Sequence, residues 1–154
     1  MSRVRPRTVG PVFVIVAVTG KVRVEVEKEF NIKVTVENSP EAGSSGTVVV
    51  RIIDHNGKVV AEDSATLGIG ESADFTFTCK APKEAGTYTW YAKAYDAERW
   101  EVHDSKEIIV DVWDIWSVMF DMMIDVFALM FMMIFFMMFF RMMRSTMVYI
   151  GRVV

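Results

Sequence analysis

Residues 127–140, FALMFMMIFFMMFF, form an unbroken run without a charge, a glycine or a proline. A helix on the surface of a soluble domain carries a polar face over about half of its circumference, and this run has none. Upstream, from residue 115, the only charges are Asp121 and Asp125. As a helix, residues 115–140 would extend about 39 Å, against a hydrocarbon core of about 30 Å. The pattern predicts a helix that is surrounded by lipid or by other protein.

Composition places the apolar excess at one end of the chain. Of 12 methionines, all but Met1 follow residue 118, while the rest is rich in Val, Thr, Glu and Lys. The net charge of −3, with no basic groove, gives no reason to expect a nucleic-acid partner. The single cysteine, Cys79, excludes an internal disulfide and is expected in the core. The chain has no Gln, a bias common in archaeal and other hyperthermophile proteins.

The N-terminus carries a short basic arm, residues 1–10, with Arg3, Arg5 and Arg7. The apolar run that follows, VGPVFVIVAVTG, has two interpretations. A basic start before an apolar run is typical of a secretory signal, but Pro11 and the β-branched residues disfavour a helix, and no cleavage site follows. The alternative is a first β-strand in a buried run.

Period-two alternation dominates the next hundred residues. In EFNIKVTVEN (29–38) and ADFTFTCK (73–80), apolar and polar side chains alternate, which is typical of half-buried strands. Asn56-Gly57 predicts a tight hairpin turn. Seven or so short strands, with no helical pattern between them, predict a mainly β fold, an antiparallel β-sandwich over residues 11–112. We expect its core to contain aromatic side chains, namely Phe30, Phe75, Phe77 and Trp90.

Four stretches carry a resemblance to a known family: FNIKVTVEN (30–38), VRIIDHNGKVV (50–60), LGIGESADFTF (67–77) and APKEAGTYTW (81–90). Together they resemble CARDB-type, cell-adhesion-related immunoglobulin-like modules of bacterial and archaeal surface proteins. The resemblance covers roughly residues 11–112. It implies an immunoglobulin-like sandwich that serves as a spacer, adhesion or assembly module without catalysis. These stretches specify the fold far better than the function, because one fold hosts many roles.

Residues 113–148 are predicted to form one transmembrane helix, followed by a short basic tail at 149–154. Aromatic and basic side chains lie where membrane-interface anchors belong, namely Trp113, Trp116, Arg141 and Arg144. Acidic residues lie at the N-terminal end of the predicted helix, and arginines lie at its C-terminal end. The positive-inside rule therefore predicts the sandwich outside and the C-terminus in the cytoplasm or particle interior, with the membrane being a cell surface or a viral envelope.

Small and polar residues gather on one face of the predicted helix. Spacings of three, four and seven residues align Asp114, Ser117, Asp121, Asp125, Ala128 and Met132. A carboxylate facing lipid is costly, so this stripe is expected to face a partner helix in a homo-oligomer. The alternative is that both helical aspartates lie at headgroup level in contact with water.

Signals for enzyme chemistry are missing from the sequence. There is no metalloprotease, nucleophile-elbow, CxxC or phosphate-loop motif, so no catalytic residue and no cofactor are predicted. His55 and His103 are expected to be solvated. Trp100 with Arg99 is a candidate surface contact, with packing on the sandwich edge as the alternative. Methionine pairs four residues apart favour a copper pore only weakly, because they circle the helix without Cys or His.

Two function classes remain open. The first is a non-enzymatic, membrane-anchored surface or virion-envelope protein that displays an immunoglobulin-like domain to a protein or cell-surface partner. The second is a structural subunit of a filament or virus particle whose hydrophobic helices bundle in its core. A methionine-lined metal transport oligomer is a distant third. Expected partners are the lipid bilayer and identical copies of the chain.

Overall fold

A computed structural model describes residues 9–150, apart from the side chain of Tyr149. Within this range the chain forms eight strands and one helix. The strands are β1 Phe13–Val18, β2 Lys21–Glu25, β3 Glu29–Asn38, β4 Gly46–Ile53, β5 Val59–Leu67, β6 Ser72–Lys80, β7 Gly86–Asp96 and β8 Val102–Trp113. The helix is α1, Ile115–Ile150. The first eight residues of the expected basic arm and the last four of the expected tail lie outside the described range.

The strands form two sheets, one of three strands in the order β1-β3-β6 and one of five in the order β2-β8-β7-β4-β5. The hydrophobic core contains residues from both sheets, which makes a sandwich. Every pairing is antiparallel except that of β2 with β8, which is parallel. The predicted mainly β, immunoglobulin-like fold is confirmed. The parallel pairing of β2 with β8 was not predicted from the sequence.

The apolar N-terminal run contains β1 of the three-stranded sheet and leads directly into β2 of the five-stranded sheet. The expected first strand is present as β1, but it lies at a sheet edge and is not buried throughout. Phe13 and Ile15 are buried, whereas Val14 and Val16 are 39% and 52% exposed. After Thr19 and Gly20 the chain enters the other sheet as β2, which pairs with the end of β8.

The core follows the predicted alternation. Phe30, Phe75, Phe77 and Trp90 are all buried, as expected. The ring of Phe30 lies 5.4 Å from that of Trp90, and Phe75 and Phe77 stack at 6.2 Å. Cys79 is buried beside them, and this burial raises the pKa of its thiol to about 11, so it stays protonated and unreactive at neutral pH.

One buried amide ties the first strand to two other segments. The side chain of Asn38, at the end of β3, is fully buried. Its Oδ1 accepts a hydrogen bond from the Val12 amide at 3.0 Å, and its Nδ2 donates to the Ser44 and Leu67 carbonyls at 3.0 and 3.3 Å. A buried amide with all these partners is stabilising, while loss of one partner leaves polar atoms unsatisfied.

Side chains of β8 cover part of the free edge of β1. The Phe13 amide donates to His103 Nδ1 at 3.2 Å, and the Ile15 amide donates to Asp104 Oδ2 at 2.9 Å. The expectation that His103 is solvated is therefore wrong, because it is half-buried and stacks on the Phe13 ring at 5.4 Å. Edge amides that already have acceptors are unavailable for pairing with another chain.

Helix α1 begins two residues later and ends two residues later than the expected range of 113–148. Trp113 is the last residue of β8, where its carbonyl accepts a hydrogen bond from the Val26 amide at 2.9 Å. The strand extends this far because β2 pairs with β8 through Glu25 opposite Trp113. The compact units of the chain divide between Asp114 and Ile115.

The buried ring of Phe77 gives a direct test of the core. Phe77→Ala should lower the free energy of unfolding by about 3–5 kcal/mol, because it removes buried apolar surface and leaves a cavity. Thr76→Ala, at an exposed position of the same strand, is the control and should change it by less than about 0.5 kcal/mol. Denaturant unfolding followed by near-UV circular dichroism measures both. Equal effects of the two variants would contradict the assigned core.

Candidate contact surface and membrane helix

The loop between β7 and β8 is organised by Asp96, which is buried. Its backbone N–H donates to the Glu101 carbonyl at 3.0 Å, and its carbonyl accepts from the Trp100 amide at 2.8 Å. Its Oδ1 accepts from the Glu98 amide at 3.0 Å. A buried aspartate bonded in this way fixes the loop, and the loop carries Trp100 at a defined place on the surface.

Trp100 combines exposure with an unusual backbone conformation. Its φ is 54°, a left-handed conformation that bulky residues seldom adopt, and 55% of its surface is exposed. Its ring lies 6.4 Å from that of Tyr95, and the Arg51 guanidinium lies 4.9 Å from its centroid. Residues held in such conformations cluster at binding sites, since the surrounding structure must compensate their strain.

Strand register extends this cluster across the outer face of the five-stranded sheet. Tyr91, Lys93 and Tyr95 alternate along β7 with buried residues, so they share the outer face. Arg51 on β4 pairs opposite Lys93, and its guanidinium also lies 5.4 Å from the Tyr95 ring. We call these residues, Arg51, Tyr91, Lys93, Tyr95 and Trp100, the aromatic face.

The aromatic face has the composition of an energetic contact site. Tyr, Trp and Arg are the residue types that carry most of the binding energy in protein interfaces. Lys93 Nζ lies 6.0 Å above the Tyr91 ring, and Arg51 donates from Nε to Glu62 on the neighbouring strand. These contacts hold the long cationic side chains in place.

Arg99, the other residue of the predicted surface contact, lines a different depression. That cavity, of about 510 Å³, is bordered by Pro11, Gly43 and Asp96. The sequence analysis named Trp100 but did not name Arg51, Tyr91 or Tyr95. The available signal was the YAKAY alternation, in which the outward positions are aromatic or cationic, not small and polar.

The predicted interface stripe falls largely on α1. Ser117, Asp121, Asp125, Ala128 and Met132 lie on the helix at spacings of three and four residues, and Asp114 immediately precedes it. Among the predicted anchors, Trp116 is in the first turn and is 66% exposed. Arg141 and Arg144 lie in the last third of the helix.

The segment Ile115–Val148 of α1 is long and apolar enough to cross a membrane. Its large apolar side chains are exposed, including Phe131 at 74% and Phe135 at 68%. By length a 36-residue helix reaches about 54 Å, which exceeds the hydrocarbon core of about 30 Å.

Between residues 9 and 150, no group of three or more His, Cys, Asp or Glu side chains is placed to hold a metal ion. The two histidines have different environments. His55 is exposed in the β4–β5 hairpin, as expected, whereas His103 accepts a backbone hydrogen bond.

The two units define the class of the protein as an immunoglobulin-like β-sandwich followed by one apolar helix. Among solved structures, the chain is similar to the CARDB domain of the PF1109 protein from Pyrococcus furiosus, in a crystal structure with di-metal ions. The identity is 23%, with 67% of this chain and 94% of that one covered at a TM-score of 0.55. The solution NMR structure of that domain gives 24% identity, 68% and 97% coverage, and a TM-score of 0.55.

This likeness is one of fold, and it confirms the CARDB resemblance noted in the sequence at that level. No protein-family model matches the chain. No curated protein sequence matches it.

Replacing Trp100 separates a binding role from a structural one. Trp100→Gly should change the free energy of unfolding by less than about 1 kcal/mol, because glycine relieves a left-handed strain worth about 1–2 kcal/mol while the ring contacts with Arg51 contribute about 0.5–1 kcal/mol. Trp100→Ala, which keeps the strain and loses the ring, is the comparison and should be less stable than Trp100→Gly. Thermal unfolding measures both. A loss above about 3 kcal/mol for Trp100→Gly would make Trp100 a structural residue.

Proposed function

We propose that this chain is a non-enzymatic, membrane-anchored surface protein that displays an immunoglobulin-like domain for adhesion or assembly. The observation that carries the proposal is the uncharged stretch Val126–Phe140 within α1, which is apolar on every side. Water is excluded as its surroundings, since no face of the helix is polar. Most large apolar side chains of the sandwich, by contrast, are buried in its own core.

The proposed orientation follows from charge. Arg141 and Arg144 lie towards the C-terminal end of α1, and Arg152 lies beyond the described residues. Asp111 and Asp114 precede the helix. Because Lys and Arg are retained on the cytoplasmic side, we place the sandwich outside, on a cell surface or a viral envelope, and the C-terminus inside.

The aromatic face is the proposed contact with a protein or cell-surface partner. It combines an exposed Trp100 with tyrosines and two cations that are already held by ring contacts. A display domain acts by presenting such a surface at a distance from its membrane, and it requires neither a cofactor nor a catalytic group.

We further propose that the helix self-associates through its stripe. Asp121 and Asp125 lie within the first three turns of α1 on one side. A carboxylate at the centre of a bilayer costs roughly 2.5–3.5 kcal/mol on insertion scales, and a polar partner or water in a bundle reduces that cost.

A second candidate function is a subunit of a filament or virus particle whose core is a bundle of these helices. The length of α1 favours it, because about 54 Å exceeds what a bilayer needs. The two functions differ in whether lipid or identical helices surround Val126–Phe140.

Limited proteolysis tests the orientation. Protease added to intact cells or particles that carry the protein should digest the sandwich and spare a C-terminal epitope tag. Detergent-permeabilised samples are the control, in which the tag should also be lost. Digestion of the tag in intact samples, with the sandwich protected, would reverse the proposed orientation.

Paired substitutions test the stripe. Asp121→Asn with Asp125→Asn should keep the oligomer, because amides still form hydrogen bonds across helices. Asp121→Leu with Asp125→Leu should keep insertion and weaken cross-linking of the detergent-extracted protein. Met123→Leu with Met130→Leu, which lie off the stripe, is the matched control and should behave as wild type. If the aspartate-to-leucine pair cross-links as well as wild type, the stripe is not an interface and both carboxylates lie at headgroup level.

A further inference from the structure

The tip of the β4–β5 hairpin places an exposed side-chain amide directly before a glycine. Asn56 and Gly57 are both exposed, and they lie between the two strands. The backbone nitrogen of the next residue can attack an asparagine side chain, and glycine hinders that attack least because it has no Cβ. Asparagine is accordingly one of the thermolabile residue types. The Asn56-Gly57 pair therefore has the chemistry of a deamidation site.

The other two asparagines of the chain lack this combination. Asn38 is fully buried and is hydrogen-bonded through both atoms of its amide. Asn31 lies within β3, accepts from the Thr78 hydroxyl at 2.9 Å and precedes the β-branched Ile32. Both asparagines belong to β3, where strand pairing fixes the backbone. They serve as internal references for the reactivity of Asn56.

The closed hairpin keeps the attacking nitrogen away from its target. The Gly57 N–H donates to the Asp54 carbonyl at 3.0 Å, and the Asp54 N–H donates to the Lys58 carbonyl at 2.9 Å. Gly57 has a φ of 80°, a left-handed conformation that glycine adopts without strain. For attack on Asn56 Cγ, the Gly57 nitrogen must lose its proton and turn towards the side chain. The reaction therefore requires the tip of the hairpin to open first.

Asp54 is the residue that holds this tip closed. Its Oδ1 accepts hydrogen bonds from the Asn56 and Lys58 amides at 2.9 Å each, in addition to the bond between its carbonyl and Gly57. An aspartate side chain that accepts from amides further along the chain stabilises a turn. Exposed turns open locally at a much lower free energy than the whole domain unfolds. The population of the open tip therefore depends on Asp54.

We propose that Asn56 is a site of spontaneous deamidation whose rate is controlled by opening of the turn at Asp54. The Gly57 nitrogen forms a bond to Asn56 Cγ, and the bond from Cγ to the side-chain nitrogen breaks. That nitrogen leaves as ammonia, together with the proton that the Gly57 amide gives up. One water then opens the resulting succinimide. Addition at Cγ yields aspartate, and addition at the backbone carbonyl yields isoaspartate, so the reaction consumes only water.

The isoaspartate product alters the hairpin that carries it. In isoaspartate the main chain passes through the side-chain methylene, which inserts one carbon atom into the backbone. β4 and β5 are paired up to Ile53 opposite Val59, so the tip between them is short and closely fitted. The turn at Asp54 cannot re-form around the longer backbone with the same hydrogen bonds. Deamidation is therefore expected to loosen this end of β4 and β5.

The test follows the full chain in detergent during prolonged incubation at neutral pH. Samples are digested, and the peptides that contain the three asparagines are resolved by liquid chromatography with mass spectrometry. A sample taken at the start corrects for conversion during digestion. Asn56 should convert to aspartate and isoaspartate at least tenfold faster than Asn31 or Asn38 converts. Conversion at Asn56 no faster than at the other two, or aspartate without isoaspartate, would overturn the proposal.

Variants then test the control by the turn. Asp54→Ala should accelerate conversion of Asn56 at least fivefold, because it removes the acceptor that holds the tip closed. Asp63→Ala is the matched control, since it removes an exposed carboxylate of β5 that bonds to the adjacent Ser64 amide, and Asn56 should then convert as in wild type. No acceleration by Asp54→Ala, or equal acceleration by both variants, would overturn the role of Asp54. If near-UV circular dichroism shows that Asp54→Ala does not fold, Asp54→Ser, which keeps a shorter acceptor, takes its place and should accelerate conversion at least twofold.

Discussion

An apolar helix without a polar face must be kept from water, and the organisation of this chain depends on that constraint. From Val126 to Phe140, α1 has no charged or hydrogen-bonding side chain to offer a solvent, although its backbone is satisfied internally. Most buried apolar residues of the sandwich belong to one core. The chain therefore combines a domain suited to water with a segment suited to lipid or to other helices.

A few polar contacts hold the first strand of the sandwich in place. β1 is an edge strand, and a free edge is liable to pair with other chains. Asn38 holds the start of β1 from the interior, while His103 and Asp104 supply acceptors for its amides. The step from β1 to β2 at Thr19 and Gly20 then ties the N-terminal segment to both sheets. These contacts cover part of the free edge of β1.

Local patterns predicted the parts of the fold that depend on local chemistry. The alternation in Glu29–Asn38 and Ser72–Lys80 identified β3, β6 and their buried faces, and Asn56-Gly57 marked the hairpin. The five-residue β2 was missed, because its parallel pairing with β8 joins residues some ninety positions apart. The contacts of His103 and of the aromatic face were missed for the same reason, because they join residues that are distant in the sequence. Arg51 contacts Tyr95 and Trp100 only through strand register and loop geometry. The Trp90 indole N–H, which has no hydrogen-bond partner among residues 9–150, has no sequence signal at all.

Spin-label accessibility along one turn of α1 tests the central claim most directly. Nitroxides are attached at Phe131→Cys, Met132→Cys, Met133→Cys and Ile134→Cys in membranes, while Cys79 is protected by burial and its raised pKa. We predict that collisions with oxygen exceed those with a water-soluble nickel complex at Phe131, Met133 and Ile134. At Met132, on the stripe, the oxygen collision rate should be lower. Low collision rates with both reagents at all four positions would place the helix inside a protein bundle, and high rates with nickel would place it in water. Either result would contradict a helix in lipid.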